Sequence, residues 1–146
     1  MFPSHDQVGE SILEALEHMQ RDVVVVDFNP EIIKKIKSEK LFRLFGDISD
    51  LDIQEKAQIH KADLVISTVP DIEDNLILLK SLHKENKKAK ILVMAYDTHD
   101  AKELYKNGAD YVILPHLAGG KQIAQILKDN DFGKLDALRE KDWAYL

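Results

Sequence analysis

Four consecutive valines, Val23 to Val26, run directly into Asp27, and Gly9 stands eighteen residues ahead of that aspartate in the run Asp6-Gln-Val-Gly-Glu-Ser. That spacing leaves room for one helix and one strand between a tight turn and an acid, the second half of a dinucleotide-binding fingerprint. A buried first strand and a glycine-rich turn should stand before it, and only Met1-Phe-Pro-Ser-His precedes Asp6. The sequence therefore predicts a nucleotide-type fold whose first strand and glycine-rich opening are truncated or degenerate. Aligned on Gly9, the two earlier glycine positions fall on Ser4 and Asp6, and a carboxylate at the second opposes an approaching pyrophosphate.

The chain's 146 residues suit one compact domain, able to bury roughly 70% of its unfolded-chain surface. With no cysteine there is neither a disulfide framework nor a thiolate metal site. The net charge of -6 is spread along the chain, and no run of lysine and arginine is long enough to track a phosphate backbone, which argues against nucleic acid. Apolar stretches stay far below the about 18 residues of a spanning helix, and the first residues do not read as a leader, so a soluble chain is expected, and the absence of cysteine fits a reducing cytosol.

Short apolar runs alternate with amphipathic segments, the pattern of a parallel sheet wrapped by helices. Five strands are expected: Val23 to Val26, Leu41 to Phe45, Leu64 to Ile66, Ile91 to Ala95 and Tyr111 to Leu114. Being nearly all apolar, they suit strands covered on both faces. Asn29-Pro30 reads as an N-cap followed by a first-turn proline, and Ser49 or Asp50, Asp71 and Asp97 can cap later helices. Gly108 sits where a helix ends in a left-handed residue. Val8, Ile12, Leu13, Leu16 and Met19 form a stripe that places a helix over 9–20. A further helix is expected over 117–128, and Leu135, Leu138 and Trp143 then suggest one more amphipathic turn or two. The division expected is a domain over 1–128 and a helical tail over 129–146.

In an open α/β sheet, ligands bind beyond the carboxyl ends of strands, where Asp27 could accept hydrogen bonds from both hydroxyls of a ribose. It could equally cap the turn through Phe28-Asn29-Pro30. The helix N-terminus around Val8 and Gly9 offers free N–H groups to a diphosphate, although a lone glycine is a weak signal. Gly46 and Asp47 end the next strand beside Asp27, within reach of an adenine amino group or simply forming a capped turn. Thr68, Pro70 and Asp71 face them across the switch point, and Asn75 could bond a phosphate or brace its own loop. Tyr105 and Lys106 are adjacent, so they cannot share a helical face as a catalytic pair. No histidine set has metal-ligand spacing, and no nucleophile elbow occurs.

Val23-Val-Val-Val-Asp-Phe-Asn-Pro-Glu, Phe45-Gly-Asp-Ile-Ser-Asp, Ala62-Asp-Leu-Val-Ile-Ser-Thr-Val-Pro-Asp, Asp74-Asn-Leu, Gly108-Ala-Asp-Tyr-Val and Pro115-His-Leu-Ala-Gly, in unbroken order over residues 8 to 128, resemble the TrkA-N, or RCK, domain. That resemblance implies a Rossmann-like doubly wound parallel sheet and a regulatory domain, not an enzyme. It would sense NAD(H) or an adenine nucleotide, AMP, ADP or ATP, for a membrane-embedded potassium channel or Kef-type cation/proton antiporter. It further implies a place at the inner face of the membrane, and a homodimer or higher homo-oligomer formed through residues 111 to 127. By the same likeness Asp27 with Phe28 would hold ribose, Asp47 and Ile48 would flank adenine, Thr68, Val69 and Asp71 would line the phosphate side, and Asp6, Val8 and Gly9 would form the opening turn.

Three rivals remain. Ile91 to Asp97 and Gly108 to Pro115 are similar to the last third of a phospho-receiver, but Thr68 and Leu114 stand where its phosphorylated aspartate and its lysine belong, leaving only a pseudo-receiver. An oxidoreductase would share the fold but lacks a proton donor here. A degenerate assembly module that binds no nucleotide is favoured by Ser4 and Asp6.

Overall fold

The computed structural model describes residues 7–36, 38–39 and 41–146. It divides into two compact units, residues 1–113 and 114–146. The first unit carries α1 (Gln7–His18), β1 (Val23–Asp27), α2 (Pro30–Lys35), β2 (Leu41–Phe45), α3 (Leu51–Lys56), a single 3-10 turn (Ile59–Lys61), β3 (Leu64–Ser67), α4 (Ile72–Glu85), β4 (Lys90–Met94), α5 (Thr98–Lys106) and β5 (Tyr111–Ile113). The second carries α6 (Pro115–Asp129) and α7 (Gly133–Tyr145). Asn130 ends α6 with a left-handed φ of 51°. The expected amphipathic turn or two after residue 129 is a helix of 13 residues.

All five expected strands form, each within a residue or so of its predicted bounds, and all pairings are parallel. They do not make one continuous sheet. Among the described residues, β1 pairs with β2 from Val23↔Leu41 to Asp27↔Phe45, and a separate sheet runs in the order β3-β4-β5. The expected opening, with Ser4 and Asp6 at its turn, lies outside the described residues.

Local chemistry explains the helix starts. Asn29 accepts the Glu31 N–H at 3.0 Å ahead of Pro30, Asp50 accepts from Asp52 at 2.8 Å, and Asp97 accepts from Asp100 at 2.9 Å. Each side chain satisfies a donor that the first helical turn leaves without an intrahelical partner. Gly108 has φ +92°, and a Cβ there would run into the His83 ring.

The best-packed core lies on the three-stranded side. Leu78, Leu79 and Leu82 of α4, Ile91 and Val93 of β4, Leu104 of α5 and Val112 of β5 are all buried. Around β1 and β2 burial is thinner: Leu41 and Ile36 are buried, while Phe42 is 65% exposed and Phe45 59%. At the top of the better-packed half, the Asn75 amide nitrogen donates to the Val69 carbonyl at 2.7 Å and the Met94 carbonyl at 3.1 Å. Those bonds tie together the carboxyl ends of β3 and β4, and the residue is 1% exposed.

Three stability outcomes follow from these contacts. Replacing Asn75 by Ala strands two carbonyls and costs about 2–3 kcal/mol in urea melts. Asn75→Asp costs more at neutral pH, because it buries a carboxylate against those carbonyls, and the extra loss shrinks as the carboxyl becomes protonated on acidification. Gly108→Ala costs about 1–2 kcal/mol by the same assay, since no L side chain adopts that backbone without strain.

Candidate functional site

A cavity of about 120 Å³ opens at the carboxyl ends of β1, β2 and β3. Its walls bring together Asp27, Phe28, Asp47, Ile48, Thr68 and Val69, with Gly46, Ser67 and Asp74 among the other contributors. The position follows from topology: the chain runs outward from β1 to β2, crosses over through α3, and then builds β3, β4 and β5 on the other side. Reversals of this kind leave a crevice beyond the strand ends. A larger groove of about 430 Å³ shares Val24, Val26, Ile66 and Thr68 with the cavity and extends under α1, reaching Gly9. Cavity and groove together fall within the range of roughly 300–1,000 Å³ usual for small-molecule sites.

Asp27 caps its turn and also stands on the cavity wall. Its Oδ1 accepts the Asn29 N–H at 2.6 Å, capping the turn into α2, and the residue, only 4% exposed, lines the cavity. Asp47 is held at the rim by its own turn, its Oδ1 accepting the Ser49 N–H at 2.9 Å and hydroxyl at 2.8 Å. The Gln54 side chain, buried, donates to the Ile48 carbonyl at 2.8 Å and fixes the next residue of that loop. Beneath them, a Cβ at Gly46 would overlap the Ile53 side chain of α3, which would have to shift to admit it.

On the opposite wall, Asp71 does not line the cavity; its Oδ1 accepts the Asp74 N–H at 3.0 Å and caps α4. That cap sets the first turn so that Asp74 faces the cavity instead. Burial first, then the nearby Asp71 and Asp47 carboxylates, push the Asp74 carboxyl up from its ordinary value. Asn75 braces the loop rather than reaching a ligand with its amide nitrogen. The Ser67 Oγ and the Asn75 Oδ1 are buried without a hydrogen-bond partner among the described residues.

Of the other expected residues, Gly9 lies on the groove, and Val8, half-buried in α1, lines neither space. Sequence reasoning missed Ser67 and Asp74 as cavity residues. Asp74 carried a readable signal, since it stands three residues after a capping aspartate and therefore in the first helical turn. Ser67 carried none beyond its place at a strand end. Among the described residues, no group of three or more histidine, aspartate and glutamate side chains could hold a metal ion. No described helix is long and apolar enough to cross a membrane.

The TrkA-N domain family model matches residues 4–115. A potassium channel protein of Methanocaldococcus jannaschii is 29% identical over 129 residues, covering 87% of this chain but only 39% of that protein. The chain thus spans about two fifths of that relative's length. Its fold is also that of the solved TrkA-N domain of the inner membrane protein YbaL from Escherichia coli, at TM-score 0.77 and 17% identity over 84% of this chain and 90% of that one. The AMP-bound C-terminal domain of Kef from Shewanella denitrificans matches at TM-score 0.72 and 17% identity, over 95% and 86%. With a family match over most of its length, and a cavity at the reversal of a Rossmann-like parallel fold, the chain belongs to the TrkA-N domain family.

Proposed function

We propose that this chain is a regulatory domain that senses an adenine nucleotide, NAD(H) included, and passes the resulting conformational change to a membrane-embedded potassium channel or cation/proton antiporter. The observation that carries the reading is Asp27, seated at a strand's carboxyl end on a cavity whose opposite wall comes from the second sheet. Adenine at Asp47 and Ile48 fits the geometry of that rim, where one side chain accepts and one backbone loop is fixed. The similarity to a potassium channel protein and to an AMP-bound Kef domain supports both the ligand class and the transport setting. The domain acts at the inner face of the membrane, as a homodimer or higher homo-oligomer.

A second reading, an assembly module of the same family that binds no nucleotide, is favoured by the carboxylates around the cavity, where no lysine or arginine is among the described lining residues.

Thermal shift and calorimetry with NADH, NAD, AMP, ADP and ATP separate the two. One of these ligands should raise stability by about 2.7 kcal/mol at a hundredfold excess over its Kd, and no shift with any of them overturns the sensor reading. Asp27→Asn keeps an acceptor for the Asn29 N–H but loses the charge, so it should weaken binding by about tenfold or more while leaving the fold intact. Unchanged affinity would mean that Asp27 only caps its turn.

A further inference from the structure

At the amino ends of β3 and β4, the opposite end of these strands from the cavity, two turns that carry lysines are held together by one side chain. The Asn86 amide nitrogen donates to the Ile59 carbonyl at 2.9 Å and to the Ala62 carbonyl at 2.8 Å, so the turn after α4 is pinned to the 3-10 turn before β3. That junction brings Lys61 of the 3-10 turn to the same end as Lys84, Lys87 and Lys88, all four exposed, with His60 and His83 on the same two segments. Among the described residues none of these four lysines is held in an ion pair, whereas acids at this end are engaged elsewhere. Asp63 meets Arg21 at 3.5 Å, Asp110 meets Lys90 at 2.8 Å, and Glu103 meets Lys106 at 3.8 Å. Glu85 interrupts the lysine run, and Glu55 stands beside Lys56 at the end of α3. The face is therefore positive in a chain whose net charge is -6.

Basic residues at helix ends are ordinary, because the last turn of a helix favours positive charge. That accounts for Lys84 in the last turn of α4, but not for Lys61 in a single 3-10 turn, nor for Lys87 and Lys88, which follow the Asn86 cap. We propose that this face docks on an anionic phospholipid surface, with Lys61, Lys84, Lys87 and Lys88 as the residues that hold it there. A negative surface potential attracts clustered ammonium charges, and the long apolar stem of a lysine lies along the headgroups while its charge stays wet. Leu64, exposed at the start of β3, adds an apolar side chain next to the 3-10 turn. Four point charges on two turns suit a plane of headgroups. Arginine, the residue for bidentate phosphate recognition, is missing from both turns, which disfavours a nucleic-acid strand. The cavity opens at the carboxyl ends of the strands, so docking by the amino ends leaves it accessible. The proposal adds to the transport setting a contact made by the domain itself, and it does not depend on what the cavity binds.

The test is co-sedimentation of the full chain with vesicles of phosphatidylcholine alone and of phosphatidylcholine mixed equally with phosphatidylglycerol, in low and high salt. Binding to the mixed vesicles only, falling by about tenfold or more in high salt, is expected. A variant carrying Lys84→Gln, Lys87→Gln and Lys88→Gln should lose about tenfold or more of that binding, and Arg at the same three positions should retain it. A control carrying Lys102→Gln, Lys121→Gln and Lys128→Gln, which removes as much charge from other elements, should stay within about twofold of the parent. Equal binding to both kinds of vesicle, binding to neither, or equal losses in the two glutamine variants overturns the proposal. Tighter binding of the parent chain to a single-stranded oligonucleotide than to the mixed vesicles, at matched phosphate, also overturns it and assigns the face to nucleic acid.

Discussion

One buried amide decides where the candidate site stands. Asn75 sits in the first turn of α4 and donates to carbonyls at the ends of two neighbouring strands, so helix start, β3 end and β4 end are fixed by one side chain. Thr68 and Val69 then have little freedom in how they enter the cavity wall, and Asp71 meets the helix as its cap. In a low-dielectric interior such bonds are strong when made and costly when lost, which makes this junction a rigid reference for the groups around it.

The two sides of the cavity differ in how firmly they are built. Behind the β3 wall, leucines of α4 and the apolar residues of β4, α5 and β5 pack without solvent, giving that side the character of a domain core. The β1 wall is backed by a two-stranded ladder with a short helix, and its aromatic residues Phe42 and Phe45 are largely exposed. Thinly buried segments occupy the low end of local stability, and ligand-responsive parts of proteins are drawn from that end.

Much of this was legible in the sequence for identifiable reasons. Val23 to Val26 could hardly be anything but a strand, and capping residues at Asn29, Asp71 and Asp97 announce their helices because each supplies an acceptor just where donors lack partners. Other features were not legible. The pattern cannot show that Asp71 turns inward to its own helix while Asp74 takes the cavity, since both are acids near one strand end and only the direction of the first turn separates them. Asn75 could have bonded a ligand or its loop, and the choice depends on two carbonyls, one of them 19 residues away in sequence. The tail reads as a fragment of amphipathic pattern because its apolar residues, among them Leu135 and Trp143, are exposed along α7 rather than gathered against a partner in that unit.

The unequal packing of the two walls has a mechanical meaning. The β3 wall stands on buried leucines and on the Asn75 junction, while the β1 wall is backed by a ladder whose aromatic residues are largely exposed. Strain placed on a crevice goes to whichever side yields at less cost, so adjustment in this fold falls to the β1 wall, and the β3 wall serves as its anvil.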